Sequence, residues 1–264
     1  MRTIAHISDI HFDLVDPAVA EALVRELNDR KPDLLVVSGD LTQRARVGQF
    51  QHAIEFLAKL PRPQMVLAGN HDVPLFDFTR RLISPLGRFR QMVTHDLMPV
   101  HQDEELLVIG LNTAGRGSLR LNGFWKDGHV DLRQLEQAVR RLREAPRDVT
   151  KILVTHHPFV SHDDKHDPDT VRNADQVLQA LAGTGVSLLL AGHLHHAHHA
   201  EVAGGAVSLQ AGTACSVRRR QQANNYNWIT VEKAGIHAEV RAYNDNAFQT
   251  QQSMQFNRRE APAI

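Results

Sequence analysis

The stretch from Thr3 to His11, TIAHISDIH, joins a short run of apolar and β-branched residues to a polar end that starts at Ser8. A run of this length and composition is typical of a buried strand. The same pattern, a strand followed at once by polar side chains, recurs four more times along the chain. Amphipathic stretches alternate with these runs, so the sequence predicts an α/β fold that contains parallel strands.

The order of the predicted elements supports one domain over residues 1–264, because no repeat or low-complexity linker interrupts it. The first strands are predicted at Thr3–Ser8, Asp33–Ser38, Gln64–Ala68, Leu106–Leu111, Lys151–Thr155 and Ser187–Ala191. Helices are predicted from Pro17 to just before Lys31 and at about Val47–Leu60, Leu132–Glu144 and Ala174–Ala182. The C-terminal part, from about residue 200, is rich in strands, with a polar tail from Asn244 and strands at Val207–Gln210, Tyr226–Glu232 and Ile236–Tyr243.

The composition excludes several classes of protein. With 42% hydrophobic residues among 264, the chain can bury a full core and is not a disordered chain. Equal numbers of basic and acidic residues, 30 of each, argue against a dedicated nucleic-acid or membrane-surface protein. The single cysteine, Cys215, excludes a disulfide framework within the chain. Neither a membrane-spanning run nor a signal peptide is evident, so we expect a cytoplasmic protein.

Potential metal ligands follow five of the first six predicted strands. Asp40 comes 31 residues after Asp9, and Asn70 comes 30 residues after Asp40, which is about one strand–helix–strand unit in each case. Because the carboxyl ends of parallel strands meet at one edge of a sheet, we expect these side chains to lie together. The full set of candidate ligands is Asp9, His11, Asp40, Asn70, His156, His193 and His195.

The candidate ligands form a mixed set of oxygen and nitrogen donors, which suits Mn, Fe or Zn better than Ca or Mg. Seven ligands are too many for one tetrahedral ion, but they fit two ions that share a carboxylate. Two ions about 3.5–4 Å apart are the usual arrangement for displacement at phosphorus. In Asp9-x-His11 and His193-x-His195, an extended backbone would place both side chains on the same side, and we expect that conformation.

Five ordered motifs, Asp9-x-His11, Gly39-Asp40, Gly69-Asn70-His71-Asp72, His156 and Gly192-His193-x-His195, resemble the signature of the calcineurin-like metallophosphoesterases. The resemblance implies a four-layer αββα sandwich and a binuclear site bridged by Asp40. It also implies that one ion is held by Asp9, His11, Asp40 and His195, and the other by Asp40, Asn70, His156 and His193. His71 would lie beside the two ions without binding them, as the catalytic residue that contacts the phosphate or protonates the leaving group.

Departures from other branches of this superfamily narrow the resemblance. The sequence after Gly39-Asp40 lacks the Val-Asp-Arg-Gly extension of the protein phosphatases, and His71 stands where some lipid-A-pathway hydrolases have arginine. The pattern is similar to small bacterial phosphodiesterases that cleave cyclic nucleotides such as cAMP, or glycerophosphodiesters, by attack of metal-bound hydroxide on phosphorus. The implied partners are a small phosphodiester substrate and two divalent or mixed-valence metal ions, with Mn or Fe preferred to Zn. Whether the protein forms a homo-oligomer is left open.

Two alternatives remain at this point. A phosphomonoesterase or nucleotide pyrophosphatase would use the same metal ligands, and a non-catalytic scaffold would use the same fold, as the retromer subunit that resembles these enzymes does. No ligand of the motif is missing here, which favours an enzyme.

Several residues outside the signature are interpreted as structural. His157 is expected to position its loop or face solvent, Cys215 to be part of the structure, and the run Arg218–Arg220 to form a solvated turn. Asp72 is expected to orient His71 or to cap the next turn. The polar segment Ser161–Thr170 is either an exposed loop or an overhang that selects substrates.

Overall fold

Two six-stranded sheets form the centre of the molecule in a computed structural model. The structure describes residues 1–115, 127–160, 170–202, 204–220 and 222–259. The segment Ser161–Thr170, for which the sequence left two interpretations open, lies outside the described residues except for Thr170.

The strands and helices of the described ranges alternate as the sequence predicts. The strands are β1 (Arg2–Ile7), β2 (Leu34–Val37), β3 (Gln64–Val66), β4 (Val100–Gln102), β5 (Leu106–Gly110), β6 (Thr150–Val154), β7 (Val186–Ala191), β8 (His198–Glu201), β9 (Val207–Gln210), β10 (Asn225–Val231), β11 (Ile236–Asn244) and β12 (Ala247–Phe256). The helices are α1 (Pro17–Arg30), α2 (Val47–Leu57), α3 (Phe78–Ile83), α4 (Gly87–Met92), α5 (Leu132–Glu144) and α6 (Ala174–Leu181).

The strand order brings the carboxyl ends of the parallel strands together. The first sheet has the order β12-β11-β10-β1-β2-β3, in which β1, β2 and β3 are parallel and the β10–β12 meander is antiparallel. The second sheet has the order β4-β5-β6-β7-β9-β8, with β5, β6, β7 and β9 parallel. The chain therefore leaves β1, β2 and β3 at the same edge of the first sheet, and it leaves β5, β6 and β7 at the same edge of the second sheet. Loops that follow these strands can build a site there.

Three separate apolar clusters lie between four layers of secondary structure, in the order helices, sheet, sheet, helices (αββα). Residues of alternate parity, such as Val36 and Val154, point between the two sheets, whereas Val37 and Leu153 point outwards. Leu23 of α1 and Phe50 of α2 pack on the outer face of the first sheet, and α5 and α6 cover the second sheet. The α/β class and the four-layer sandwich implied by the resemblance are confirmed.

Helix ends follow local hydrogen bonds. At the start of α1 the Asp16 side chain accepts from the N–H of Ala18 at 3.0 Å, and the helix stops at Lys31, whose φ is 50°. Helix α2 ends at Leu57, three residues before the predicted end, because the Gln64 amide donates to the carbonyl of Leu57 at 2.8 Å. A side-chain donor of this kind replaces the next helical turn as partner for the last carbonyls.

The prediction of a polar tail from Asn244 was wrong, because residues 247–256 form β12 and pair with β11. Most side chains of β12 are exposed, so the strand shows no apolar alternation and its pairing is made by the backbone. The short elements α3, α4, β4 and β8 were not predicted either. Elements of three to six residues carry too few positions for a periodic pattern.

Candidate metal centre

Seven buried side chains meet where the two sheets present the carboxyl ends of their parallel strands. Asp9 and His11 follow β1, Asp40 follows β2, and Asn70 begins a 3₁₀ turn after β3. From the second sheet, His156 follows β6, and His193 and His195 follow β7. Each of the seven side chains belongs to a residue that is at most 8% exposed.

The first half of the site consists of Asp9, His11, Asp40 and His195, whose potential ligand atoms all lie within 4.8 Å of one another. The Nε2 atoms of His11 and His195 are 3.2 Å apart. The Oδ1 atom of Asp9 lies 3.6 Å from His11 Nε2 and 3.4 Å from His195 Nε2. Four donors at these separations can surround one ion.

The second half is built around three imidazoles, His156, His157 and His193, whose potential ligand atoms also lie within 4.8 Å of one another. Asn70 joins this half, because its Oδ1 is 3.1 Å from His156 Nε2. Asp40 lies between the halves: its Oδ1 is 3.3 Å from His156 Nε2, and its Oδ2 is 3.7 Å from His11 Nε2. One carboxylate thus presents one oxygen to each half.

The backbone at the ligands is not extended, so the expected side-chain alternation was wrong. Five of them have left-handed backbone conformations, with φ of 55° at Asp9, 51° at His11, 52° at Asp40, 72° at His193 and 57° at His195. The chain has left the sheet at these positions, and the left-handed turns aim the side chains. Non-glycine residues adopt this conformation at a cost, typically where a functional site over-determines it.

Two glycines make room for the carboxylates. A Cβ on Gly69 would lie 2.1 Å from Asp40 Oδ1, and one on Gly192 would lie 1.8 Å from Ser8 Oγ and 2.6 Å from Asp9 Oδ2. Such approaches are impossible for any side-chain-bearing residue. The glycines therefore keep both carboxylates in place.

Hydrogen bonds outside the ligand set fix the orientation of each donor. The Nδ1–H of His156 donates to the carbonyl of Ser38 at 2.8 Å, and that of His195 donates to the carbonyl of Arg218 at 2.6 Å. Since Nδ1 carries the proton when its partner is a carbonyl, Nε2 is the atom available to a metal. The carboxylates are held likewise, with Asp9 Oδ2 accepting from the N–H of His193 at 2.9 Å.

The orphaned polar atoms show that the residues fit a pair of cations. Asp9 Oδ1 and Asp40 Oδ2 are buried without a hydrogen-bond partner among the described residues, and so is Asn70 Nδ2. A buried carboxylate oxygen without a donor is costly unless a cation approaches it. The mixed oxygen and nitrogen donors suit transition metals. The site therefore fits the binuclear centre that the motif implies.

The charge pattern of the metal-free site centres on Asp40 and His156. Burial raises the pKa of the Asp40 carboxyl, but the neighbouring imidazoles of His156 and His71 outweigh it and hold this pKa well below its usual value. Burial lowers the pKa of His156, and attraction to Asp40, a hydrogen bond to Asp40 and the charge of Asp9 raise it to about 9. A protonated His156 thus neutralises Asp40 when no cation does so.

His71 lies beside both halves without joining either ligand group. Its backbone N–H donates to Asp40 Oδ1 at 2.8 Å. Its ring contacts that of His11 edge-on, with the ring centroids 4.9 Å apart. Its Nδ1 is 2.9 Å from the carbonyl of Gln43, and its Nε2 is 2.8 Å from Nη1 of Arg218. Because a carbonyl only accepts and a guanidinium only donates, His71 is neutral with the proton on Nδ1.

Burial is the main cause that lowers the pKa of His71 to about 4, and the charge of Arg218 adds to it, while Asp40 acts in the opposite direction. The imidazole is therefore neutral near pH 7, in agreement with its hydrogen bonds.

Asp72 fixes the loop that carries Asp40. Its carboxylate accepts from the N–H groups of Gly69 at 2.9 Å, Leu41 at 3.2 Å and Thr42 at 2.9 Å. Burial first, then the charge of Asp40, raises the pKa of Asp72 to about 6. These bonds run neither to the imidazole of His71 nor to the turn that follows Asp72; they tie the loop after β2 to the 3₁₀ turn after β3.

Two site residues were missed by sequence reasoning. His157 is fully buried, with Nδ1 2.7 Å from Thr113 Oγ1, so it does not face solvent. Arg218 is half-buried and touches His71, so it is not part of a solvated turn, whereas Arg219 and Arg220 are exposed. The tandem His156-His157 was the available signal for the first, but a run of three arginines does not show which one turns inwards. Cys215 is buried, as expected, and burial raises the pKa of its thiol to about 12.

The chain belongs to the calcineurin-like phosphoesterase family, whose model matches residues 2–197. The family resemblance and the enzyme class predicted from the motifs are confirmed. No helix of the described ranges combines the length and the hydropathy needed to cross a membrane.

The chain is similar to several bacterial phosphodiesterases. It is 29% identical over 206 residues to a Synechococcus protein named "Probable cyclic nucleotide phosphodiesterase", with 74% of each chain covered. It is 27% identical over 164 residues to the 3′,5′-cyclic adenosine monophosphate phosphodiesterase CpdA of Escherichia coli, with 62% of this chain and 54% of that protein covered. It is 28% identical over 208 residues to the glycerophosphodiester phosphodiesterase GpdQ of Enterobacter lignolyticus, with 73% and 70% covered.

Solved structures share the fold at lower identity. PhoD matches with a TM-score of 0.75 and 11% identity, covering 98% of this chain and 70% of PhoD. A dimetal phosphatase from Danio rerio matches with a TM-score of 0.69 and 14% identity, covering 97% of this chain and 99% of the other. At such identities the likeness concerns the fold.

Proposed function

We propose that this protein hydrolyses small phosphodiesters, namely 3′,5′-cyclic nucleotides such as cAMP or glycerophosphodiesters. The observation that carries the proposal is the grouping of buried carboxylate, amide and imidazole donors into two halves around Asp40. The names of the similar bacterial proteins supply the substrate class.

The proposed ligand sets are those that the family motif implies, and His157, whose Nδ1 is 2.7 Å from Thr113 Oγ1, is not included in them. Asp9, His11, Asp40 and His195 would hold one ion, and Asp40, Asn70, His156 and His193 the other. Manganese or iron are our first choices and zinc the alternative, since all three accept carboxylate and imidazole donors. When bound, the pair of ions activates water near neutral pH and neutralises charge on phosphate oxygens.

The chain's own contribution is a rigid polar cradle. Backbone N–H groups hold one oxygen of Asp9 and one oxygen of Asp40, so each carboxylate keeps its other oxygen aimed into the site. The donor atoms need little rearrangement when substrate arrives, which is how preorganised sites lower barriers. His71, whose backbone N–H donates to the bridging carboxylate, is proposed to take part in catalysis by positioning the phosphate.

Two model substrates test the reaction class. We expect purified protein with defined manganese content to cleave bis(p-nitrophenyl) phosphate faster than p-nitrophenyl phosphate. Asp40→Asn, which removes the charge that both halves share, should bind fewer than two ions and lose about 100-fold or more in turnover. The matched control is Asp29→Asn on the exposed surface, which should keep wild-type rates and two ions.

If the monoester is cleaved faster than the diester, the protein is a phosphomonoesterase and the proposal is wrong. If neither substrate is cleaved, the proposed reaction is rejected and the assignment of the fold stands. If the diester is preferred, cAMP and glycerophosphocholine tested side by side then separate the two substrate classes.

A further inference from the structure

Arg218 stands apart from its neighbours in the arginine run. It lies in the loop between β9 and β10, which is fastened to the loop after β1: Ser216 Oγ donates to the carbonyl of Leu14 at 2.9 Å, and the N–H of Arg218 donates to Ser216 Oγ at 3.1 Å. Arg218 is half-buried, whereas Arg219 and Arg220 are exposed. The loop therefore directs one arginine of three inwards.

Both the backbone and the side chain of Arg218 reach the site. Its carbonyl accepts the Nδ1–H of His195 at 2.6 Å, so the residue is fixed relative to the first half of the site. Its Nη1 donates to His71 Nε2 at 2.8 Å and is 3.3 Å from Gln43 Oε1. The guanidinium thus contacts the side chain of His71, the residue whose backbone N–H donates to Oδ1 of the bridging carboxylate.

None of the carboxylates in the described part of the chain forms an ion pair with Arg218. Its hydrogen bonds to described side chains use Nη1, so Nη2 and Nε keep donor hydrogens that no described residue accepts. A permanently charged group that is half removed from water in this way is suited to an incoming anion.

We propose that Arg218 binds a non-bridging oxygen of the substrate phosphate and holds the phosphodiester against the metal centre. The guanidinium fork matches two phosphate oxygens, or one oxygen and a bridging ester oxygen, better than a point charge does. Gln43 and the neutral His71 orient the fork from the other side. The inference rests on the proposed function and assigns that site a substrate-binding residue outside its metal ligands.

Inorganic phosphate is the probe for this subsite, measured by calorimetry on manganese-loaded protein alongside diester kinetics. We expect Arg218→Ala to weaken phosphate binding about 10- to 100-fold and to raise KM for bis(p-nitrophenyl) phosphate by a similar factor. Arg218→Lys, which keeps the charge but not the fork, should lose less. Arg220→Ala, an exposed neighbour in the same run, is the matched control and should stay within about twofold of wild type.

The outcomes separate this inference from the proposed function. Phosphate affinity and KM unchanged in Arg218→Ala, with two ions still bound, would overturn the inference and leave the phosphodiesterase proposal standing. Loss of metal ions in Arg218→Ala would also overturn it, because the residue would then support the metal centre. Arg218-dependent phosphate binding in a protein that cleaves no diester would keep the anion subsite and refute the proposed reaction.

Discussion

At the scale of single residues, the site is arranged before any ion binds. Asp9 and Asp40 each have one oxygen held by a backbone N–H and another oxygen without a partner. His156 and His195 each donate Nδ1–H to a carbonyl, which leaves Nε2 for coordination. The tautomers and the carboxylate orientations are therefore consequences of the surrounding hydrogen bonds.

His71→Ala tests whether this imidazole donates a proton. With Nδ1–H bonded to the carbonyl of Gln43 and Nε2 accepting from Arg218, a neutral His71 has its one ring proton committed to Gln43, so we do not expect it to protonate a leaving group. We expect the variant to keep both ions and to slow turnover about 10- to 100-fold, because Arg218 loses its support. The slowing should be equal for p-nitrophenolate and alkoxide leaving groups, compared in steady-state assays.

The matched control for this test is His95→Ala at an exposed position, where rates should not change. A much larger loss with the alkoxide would instead assign His71 the role of general acid.

At the scale of elements, the loops after the strands determine the site. The strands themselves are ordinary buried strands, and the residues Asp9, Asp40 and His193, which have positive φ, lie two or three residues beyond the strand ends. Gly69 allows the turn after β3 to touch the loop after β2. A change confined to this contact should thus affect the site and spare the sheet.

Gly69→Ala is expected to disturb the metal centre without unfolding the protein. The backbone of Gly69 is extended enough for alanine, with φ of −106°, but the new Cβ would lie 2.1 Å from Asp40 Oδ1 and must displace that carboxylate. We expect loss of at least one ion by elemental analysis and a drop in turnover of about 100-fold or more.

Gly48→Ala is the control for the same chemical change. Gly48 lies in α2, and a Cβ there meets nothing within 4 Å. This variant should gain about 0.5–1 kcal/mol in free energy of unfolding, from the higher helix propensity of alanine, and keep full activity. Equal metal content in the two variants would mean that Asp40 does not bridge the halves.

The limits of sequence reasoning have physical causes. The buried strands, the helix over Leu132–Glu144 and the gathering of the strand-end polar residues were predictable, because periodicity and strand ends leave clear patterns. The strand β12 was not, since an exposed edge strand needs no apolar face. The inward turn of Arg218 and the burial of His157 were not, because both depend on contacts between residues far apart in sequence.

At the scale of the whole molecule, the site joins the two sheets. Asp9, His11, Asp40 and Asn70 come from the first sheet, and His156, His193 and His195 come from the second. In the metal-free protein, the contact of His156 with Asp40, at 3.3 Å, is one of the direct electrostatic contacts across this junction, together with that of His195 with Asp9 at 3.4 Å. The protonation state of His156 should therefore influence the free energy of unfolding of the whole protein.

Stability of the metal-free protein should fall as pH rises from about 6.5 to 9. The pKa of His156 is raised from 6.5 to about 9 on folding, so its stabilising charge is fully present below 6.5 and is lost as pH rises through 9. Urea unfolding of chelator-treated wild type and His156→Asn should show a difference that shrinks by about 3 kcal/mol over this range.

With manganese present the trend should be the reverse, because the metal competes with the proton for His156. A constant difference between the metal-free proteins at pH 6 and pH 9.5 would contradict the charge pairing of His156 with Asp40.

The position of β1 in its sheet has a consequence for biosynthesis. One of the two neighbours of this strand, β10, is made more than two hundred residues after it, with Ala5 opposite Trp228. Until residues 225–231 emerge, the nascent chain carries an open strand edge next to the loop that bears Asp9 and His11. Synthesis that stops before β10 would leave this strand edge unpaired, and an unpaired edge favours association with other chains.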